Sequence, residues 1–407
     1  MLAFRGLRGQ ALAYARIVCV VLPAFVIFGY NQSNIGGVLD FESFTKTFSL
    51  IDTANTKETV RMMVAIYTIG CLVGALACPQ FGNRFGRRWT LVGSAVITTV
   101  GQVLQSSSFS LTRLIIGHIV SGIGVGNINS IVPVWQSECS PKNRGNNVVI
   151  LGTFVATVKV CGGCALASWI NYGLGLIPGK AISWRIPLAI PLVFTSIQLA
   201  TAFSFLEGPR WLVQNGRLED ATDAKAILEN LHRDSEVVAR AMLAVAVKFS
   251  AQMTGTNAIT YYAKTIFQKS LHFPSRQGAV LAAGILSWKI IASSFSLFTI
   301  DRVGRKPLFM VASRGMSLCM TCMAITASMI AHPAAGKAAT IFLFLYFMFF
   351  PVGFLGANFL YATEIASQDL RLFNFVIAEI TTICFAQIGY RTYIIYAVIA
   401  AFVLPLV

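Results

Sequence analysis

Runs of about twenty apolar residues, separated by short connectors that hold nearly all the charge, recur from Tyr14 to the end of this 407-residue chain. A soluble core has no room for so many of them. Hydrophobic residues make up 56% of the sequence and charged residues 12%, which excludes a soluble globular domain and points to a multi-span membrane protein. The runs are long and lack period-two alternation, so a transmembrane β-barrel is excluded as well. The expected fold class is all-α, a polytopic membrane protein with about twelve transmembrane helices at about 20 residues per span. One long polar stretch, Glu207 to Arg240, interrupts the pattern. Within it Leu218, Ala221, Ala224, Ile227, Leu228 and Leu231 keep helical spacing opposite a charged face, which predicts a short amphipathic helix in water. It divides the chain into an N-terminal helix bundle (1–206), a cytoplasmic linker (207–240) and a C-terminal helix bundle (241–407).

The formal net charge of +16 would suggest nucleic acid in a soluble protein. Here the basic residues sort by loop. Arg5, Arg8 and Arg16, the Arg84/Arg87/Arg88 turn, Lys142 and Arg144, the central stretch, the Arg302/Arg305/Lys306 turn and Arg371 fall on one side. That asymmetry sets orientation, with both termini cytoplasmic and no nucleic-acid partner; the lipid bilayer is the surrounding medium. The basic N-terminal stretch is not a cleavable signal, because its apolar run passes Tyr30 without a small-residue cleavage site.

Nine cysteines include two Cys-x-x-Cys pairs, Cys161/Cys164 and Cys319/Cys322. Both pairs lie inside apolar spans with no histidine at ligand spacing, so helix packing explains them and no metal or cofactor is expected. The histidines (His118, His232, His272, His332) are scattered and no phosphate-binding loop occurs. No catalytic residue is assigned, and the chain is not expected to be an enzyme. Asn31-Gln-Ser33 fits the glycosylation pattern but lies within a span, where no glycan is added.

Polar groups at membrane depth are costly unless they face partners or a wet cavity. Helix 1, expected from Tyr14 to Leu39, holds Phe28-Gly-Tyr-Asn-Gln-Ser-Asn-Ile-Gly-Gly, which reads as a lining of a solute path in preference to the alternative, hydrogen bonding between helices. Helix 2 is expected from Thr59 to Gln80, and helix 6 from Trp184 to Glu207. Gly117, Gly122, Gly124 and Gly126 of helix 4 allow close backbone approach. Helix 7 is interrupted by Gln252-Met-Thr-Gly-Thr-Asn-Ala-Ile-Thr-Tyr-Tyr262, and broken helices mark binding sites in carriers. Helix 8, near Gln277 to Ile300, carries Lys289 among Trp288, Ile290 and Ile291, and helix 5 carries Lys159. Each ammonium costs about 2.5 to 3.5 kcal/mol at a helix centre, so each needs a partner, water or a ligand. For Lys159 snorkelling or a carboxylate such as Glu379 competes with a substrate role. The two halves also repeat one pattern: a basic turn after the second span, and an inner-face carboxylate followed by an arginine after the fourth (Glu138 and Arg144; Glu364 and Arg371). A parallel repeat implies two six-helix bundles with a cleft between them.

These residues resemble the sugar porter family of the major facilitator superfamily, in its fungal form, along most of the chain. The resemblance rests on Phe28-Gly-Tyr-Asn, the Gly86-Arg-Arg and Asp301-Arg-Val-Gly-Arg-Lys turns, Pro133-x-Trp-x-x-Glu138, Glu207-x-Pro-Arg-Trp-Leu, Gln252-x-Thr-Gly-x-Asn-x-x-x-Tyr-Tyr and Tyr361-x-x-Glu364. It implies a membrane transporter of hexose, quinate or galacturonate type working by alternating access. Gln252, Asn257 and Asn374 would hydrogen-bond a polyhydroxylated substrate, with Asn31, Lys289 and Phe359 beside them, while Tyr261 and Tyr262 close the outer gate. Arg87, Glu138, Arg144, Glu207, Arg305, Glu364 and Arg371 would form an inner-face charge cluster that ties the bundles together.

The chain departs from the family in several places. Ala251 precedes Gln252 where the family has two glutamines, Phe359 replaces a tryptophan, Asn83 replaces an aspartate in the basic turn, and Leu151-Gly152 lies near the position of the helix 5 glutamine. Helix 11 is expected to be short after Arg371 and helix 12 to stop at Val407, which adds an inactive truncated transporter as an alternative. Asn31 stands where the family's proton-coupled members carry an acid, so a facilitator is expected, with proton symport of the same substrates as the alternative; a non-transporting sugar sensor is a further one. The expected partners are a sugar, polyol or sugar acid, with protons if a carboxylate such as Glu379 substitutes, and the expected location is the plasma membrane.

Overall fold

In a computed structural model, the chain is described at residues 15, 17–39, 41–48, 54–138, 145–177, 180–205, 207–216, 254–303, 305–329, 333–355 and 398. Among the described residues the regular elements are helical, and six segments are long and apolar enough to cross a membrane. Residues 217–253, most of the expected linker, and 356–397, the expected end of helix 10 and helix 11, lie outside the description.

A π-helical turn, Ile17–Val21, leads into α1 (Leu22–Val38), and a short α2 (Glu42–Thr47) follows. Next come α3 (Ala54–Phe85), α4 (Arg87–Ser106), α5 (Leu111–Glu138) and α6 (Gly145–Gly175). The second expected helix is therefore longer than its apolar run, because α3 continues through Pro79 as far as the basic turn. Gly86 makes that turn with φ +89°, a left-handed conformation that suits glycine.

Helix 6 is two segments, α7 (Ile182–Ala189) and α8 (Pro191–Ala202), joined through Ile190, whose φ of −53° and ψ of −40° are helical. The course is continuous but the hydrogen-bond ladder is not, since Pro191 has no N–H to offer the Pro187 carbonyl. Tyr30 Oη and Asn34 Nδ2 of α1 each donate to that carbonyl at 3.0 Å. A proline defect in one helix thus becomes an anchor for the polar stretch of another.

The short α9 (Pro209–Gln214) ends the first half of the description. The second half holds α10 (Thr256–Thr265) with a π-helical turn to Ser270, α11 (Ser275–Val303), α12 (Arg305–Ser328) and α13 (Pro333–Phe350) with a π-helical turn to Leu355.

Small residues set the helix contacts, as expected where lipid removes the hydrophobic drive between helices. A Cβ on Gly126 of α5 would run into the Cys71 backbone of α3, and one on Gly29 of α1 into the Val160 carbonyl of α6. One core gathers Phe25, Leu91, Trp135 and Phe205 from α1, α4, α5 and the end of α8. Another gathers Phe267, Met316, Met320, Tyr346 and Phe347 from α10 to α13, and it takes in Cys164 and Ala165 of α6. The seam between α6 and α11 therefore joins the halves. Along it Trp169 Nε1 donates to Ser287 Oγ at 2.9 Å and Cys161 Sγ lies 3.4 Å from Ser293 Oγ.

The two ends of the assembly differ. Thr201 Oγ1 donates to the Cys19 carbonyl at 3.1 Å, and Glu207 reaches the basic turn, so the start of α1 and the end of α8 share the basic end. At the opposite end Trp184 packs edge-on to Phe44, with ring centroids 5.5 Å apart.

Candidate functional site

The described end of the polar stretch read in helix 7 is irregular in the backbone, and the residues before Thr254 lie outside the description. Gly255 has φ +83°, and α10 starts at the next residue. Left-handed backbone costs a side-chain-bearing residue about 1 to 2 kcal/mol, so glycine makes the break cheap. Tyr346 of α13 then holds it: its hydroxyl donates to the Thr254 carbonyl at 3.0 Å and lies 2.6 Å from Thr256 Oγ1, which is itself 3.2 Å from Thr254 Oγ1. The hydroxyls of this break are spent on holding its shape rather than left open to solute.

One turn along α10 stands Thr260, whose hydroxyl donates to the Thr256 carbonyl at 2.9 Å. Lys289 of α11 reaches that hydroxyl from the other side, Nζ to Oγ1 3.4 Å. Lys289 is 4% exposed, and its ammonium lies 5.1 Å from the ring centre of Phe347 and 5.6 Å from that of Phe350, both on α13. Across the seam, Cys161 Sγ of α6 lies 3.4 Å from Ser293 Oγ, whose hydroxyl donates to the Lys289 carbonyl at 2.7 Å. Among the described residues the salt bridge present is Glu42 with Lys46, so no described carboxylate pairs with Lys289. Two cation–π contacts at about 0.5 to 2 kcal/mol each offset most of the burial cost of the ammonium. They do not cancel its charge, which leaves a cation between the two halves with room in its chemistry for an anion.

On the α1 side the polar stretch is half satisfied. Asn34 uses its Nδ2 on Pro187, and Asn171 Nδ2 of α6 donates to the Asn34 carbonyl at 3.0 Å. Asn31 Nδ2, Asn34 Oδ1 and Asn171 Oδ1 are buried without a hydrogen-bond partner among the described residues. A narrow cavity opens here between α1, α6, α10 and α11, lined by Ser33, Ser168, Asn171, Tyr172, Thr260 and Lys264 among others. Of these atoms Asn171 Oδ1 belongs to a residue that lines the cavity, and a buried amide oxygen there is what a hydroxyl-bearing ligand or water would satisfy.

Of the residues expected to act on a solute, Lys289 and Asn31 are thus described with their surroundings. Asn257, Tyr261 and Tyr262 lie on α10, but their side chains are outside the description; Gln252, Phe359 and Asn374 are outside it altogether. The expected charge cluster is described at two members. Arg87 is buried and its Nη1 donates to the Gly82 carbonyl at 2.8 Å and to Asn83 Oδ1 at 3.5 Å. Glu207 Oε2 accepts the backbone N–H of Arg88 at 3.0 Å, capping α4, while Trp211 Nε1 donates to the Asn83 carbonyl at 2.8 Å. The side chains of Glu138 and Arg305, and all of Arg144, Glu364 and Arg371, lie outside the description, as does the side chain of Lys159. The cysteine pairs carry no disulfide at Cys161, Cys164, Cys319 or Cys322, and no cluster of metal-ligating residues occurs among the described residues.

Thr260, Lys264, Asn171 and Tyr346 were not singled out as site residues from sequence. Lys264 had a usable signal, since it stands four residues after Thr260 on one helix face. Tyr346 had none, being one aromatic in an apolar run.

Helices of this length and a polar cavity between helices of the two halves fit a multi-pass carrier. The sequence matches the family described as "Sugar (and other) transporter" over residues 17–239 and 224–407, and the chain belongs to that family. It is 31% identical to the MFS-type transporter oryC of Aspergillus oryzae over 93% of this chain and 79% of that one. It is 27% identical to the sugar transporter STL1 of Saccharomyces cerevisiae (99% and 79% covered) and 26% identical to a probable quinate permease of Aspergillus clavatus (91% and 80%). The fold is that of the xylose transporter XylE from E. coli in a partially occluded inward-open conformation, with a TM-score of 0.82, 20% identity, and 97% of this chain and 98% of that one covered. The protein is accordingly a multi-pass membrane transporter of the sugar class that works by alternating access, and not an enzyme.

Proposed function

We propose that this transporter carries a sugar acid or acidic polyol, of the quinate or galacturonate class, with Lys289 neutralising the substrate carboxylate. The observation that carries this reading is a buried ammonium between the two halves with no carboxylate partner among the described residues. A neutral hexose would leave that charge unanswered. The similarity to probable quinate permeases supports the same substrate class.

Gln252, Asn257 and Asn374 complete the site by hydrogen-bonding hydroxyls, Asn31 and Phe359 line it, and Tyr261 and Tyr262 close it from outside. The bundles are residues 1–206 and 241–407, tied at the inner face by Arg87, Glu138, Arg144, Glu207, Arg305, Glu364 and Arg371 and linked by 207–240. Both termini are cytoplasmic, which makes the basic end the inner one, and the plasma membrane is the expected location.

Transport runs down the substrate gradient. An amide does not ionise, so Asn31 offers no proton site in helix 1. The test is uptake of labelled glucose, galacturonate and quinate by transporter-null yeast expressing the chain, with surface localisation checked in parallel. Acid uptake without glucose uptake, insensitive to a protonophore and lost in Lys289→Met, is expected. Acid uptake unchanged in Lys289→Met would remove the lysine from the site; collapse with a protonophore would establish symport.

A further inference from the structure

The cavity beside Thr260 contains a second cation. Lys264 follows Thr260 by one turn of α10, about 6 Å of rise, and lines the cavity with Asn171 and Tyr172 of α6 and Ser33 of α1. It lies toward the end away from the basic turns, where Arg276 Nε donates to Tyr172 Oη at 3.4 Å. Asn171 is a nearly fully buried side chain whose Nδ2 is committed to the Asn34 carbonyl and whose Oδ1 has no hydrogen-bond partner among the described residues. The cavity is thus lined by a lysine, an unsatisfied acceptor and the Thr260 hydroxyl that also touches Lys289.

The geometry points to a second anion subsite at Lys264 and Asn171, in series with Lys289 and on the outer side of it, that takes the α-hydroxy carboxylate end of a sugar acid. The carboxylate meets Lys264 and the neighbouring hydroxyl donates to Asn171 Oδ1. The cavity is narrow, so it holds the acidic end of the ligand and not a whole ring. Thr260 lies between the two cations and lets the carboxylate pass from one ammonium to the next without crossing an uncharged gap. This inference rests on the proposal that the substrate is an acid; the second site, its order and the hydroxyl it reads are additional to it.

The test compares external uptake with efflux from preloaded cells for wild type, Lys264→Gln, Lys264→Arg and Lys289→Met, using galacturonate and quinate as probes. Surface amounts are measured for each. Lys264→Gln is expected to raise the external KM by about fivefold, as for a partly solvated charge pair, with the maximal influx rate and the efflux KM unchanged and the maximal efflux rate lowered by the same factor, as detailed balance requires of a carrier running down its gradient. Lys264→Arg should restore the external KM, and the wild-type advantage over Lys264→Gln should shrink as ionic strength rises. An external KM unaltered in Lys264→Gln, while Lys289→Met still abolishes acid transport, would overturn the outer subsite and leave the acid reading standing. Equal KM changes in both directions would overturn the ordering. Uptake of glucose with neither acid transported would overturn both.

Discussion

Lys289 Nζ lies 3.4 Å from Thr260 Oγ1, and the threonine hydroxyl donates its own hydrogen bond to the Thr256 carbonyl one turn back. The lysine is therefore aimed by a residue on α10. Any movement of α10 during transport moves the group that holds the ammonium. Thr260→Val keeps the shape and removes the oxygen, a loss of about 1 kcal/mol. Acid uptake should show a KM raised about fivefold with surface expression unchanged; Thr260→Ser should behave as wild type. An unaltered KM in the valine variant would show that the phenylalanine rings alone position Lys289.

The break at Gly255 and its hold by Tyr346 are separable. Gly255→Ala places a Cβ at φ +83°, costing about 1 to 2 kcal/mol. Tyr346→Phe removes the bonds to Thr254 and Thr256, costing about 1 kcal/mol for each bond lost. Both should lower the melting temperature of the detergent-solubilised protein. Tyr346→Phe should in addition alter the maximal transport rate, since it loosens the start of α10, which carries Thr260 against Lys289. A melting temperature unchanged in Tyr346→Phe would mean that packing, not these bonds, fixes the break.

Pro191, Tyr30 and Asn34 form a cycle that can be tested by rescue. Tyr30→Phe with Asn34→Ala strips both donors from the Pro187 carbonyl, a buried unsatisfied acceptor worth about 1 to 3 kcal/mol. Pro191→Ala alone returns an N–H at the position where the helix ladder lacks one. Adding Pro191→Ala to the double variant should recover part of its lost thermal stability. If the triple variant is no more stable than the double, the carbonyl is satisfied by something other than these side chains.

Glu207 caps α4 through Arg88 N and packs against Gly86, where an added Cβ would meet its carboxylate. Glu207→Ala should destabilise the protein by about 1 to 2 kcal/mol, combining cap loss with loss of a negative charge at a helix N-terminus. Glu207→Gln keeps an acceptor and should cost less. Thermal unfolding monitored by intrinsic fluorescence distinguishes them; equal melting temperatures for wild type and Glu207→Ala would show that the cap contributes nothing.

Much of the architecture was legible in the chain itself. Spacing of apolar runs fixes helices because lipid leaves the backbone no other way to satisfy its hydrogen bonds. Glycine and proline mark their own positions for local reasons: Gly86 and Gly255 take positive φ, and Pro191 interrupts a ladder whoever its neighbours are. The motifs from Phe28 to Glu364 carried the family, since each is a short-range pattern. Lys289 was also legible, because an ammonium in an apolar run is conspicuous whatever surrounds it.

What surrounds it was decided only by tertiary structure. Phe347 and Phe350 lie far from Lys289 in sequence, and Phe residues abound in this chain (30 in all), so no local signal selects those two. The same holds for Tyr346 at the helix 7 break and for Asn171, whose amide is turned by the Asn34 carbonyl across a helix contact. Helix 6 was read as one run because hydropathy is blind to a single missing N–H, and the partners that fill it, Tyr30 and Asn34, come from α1. By itself the sequence determined the helices, their glycine contacts and the kind of protein. Packing across the seam determined which polar atoms are spent on the fold and which remain for a solute, because that depends on the distances between side chains from separate helices.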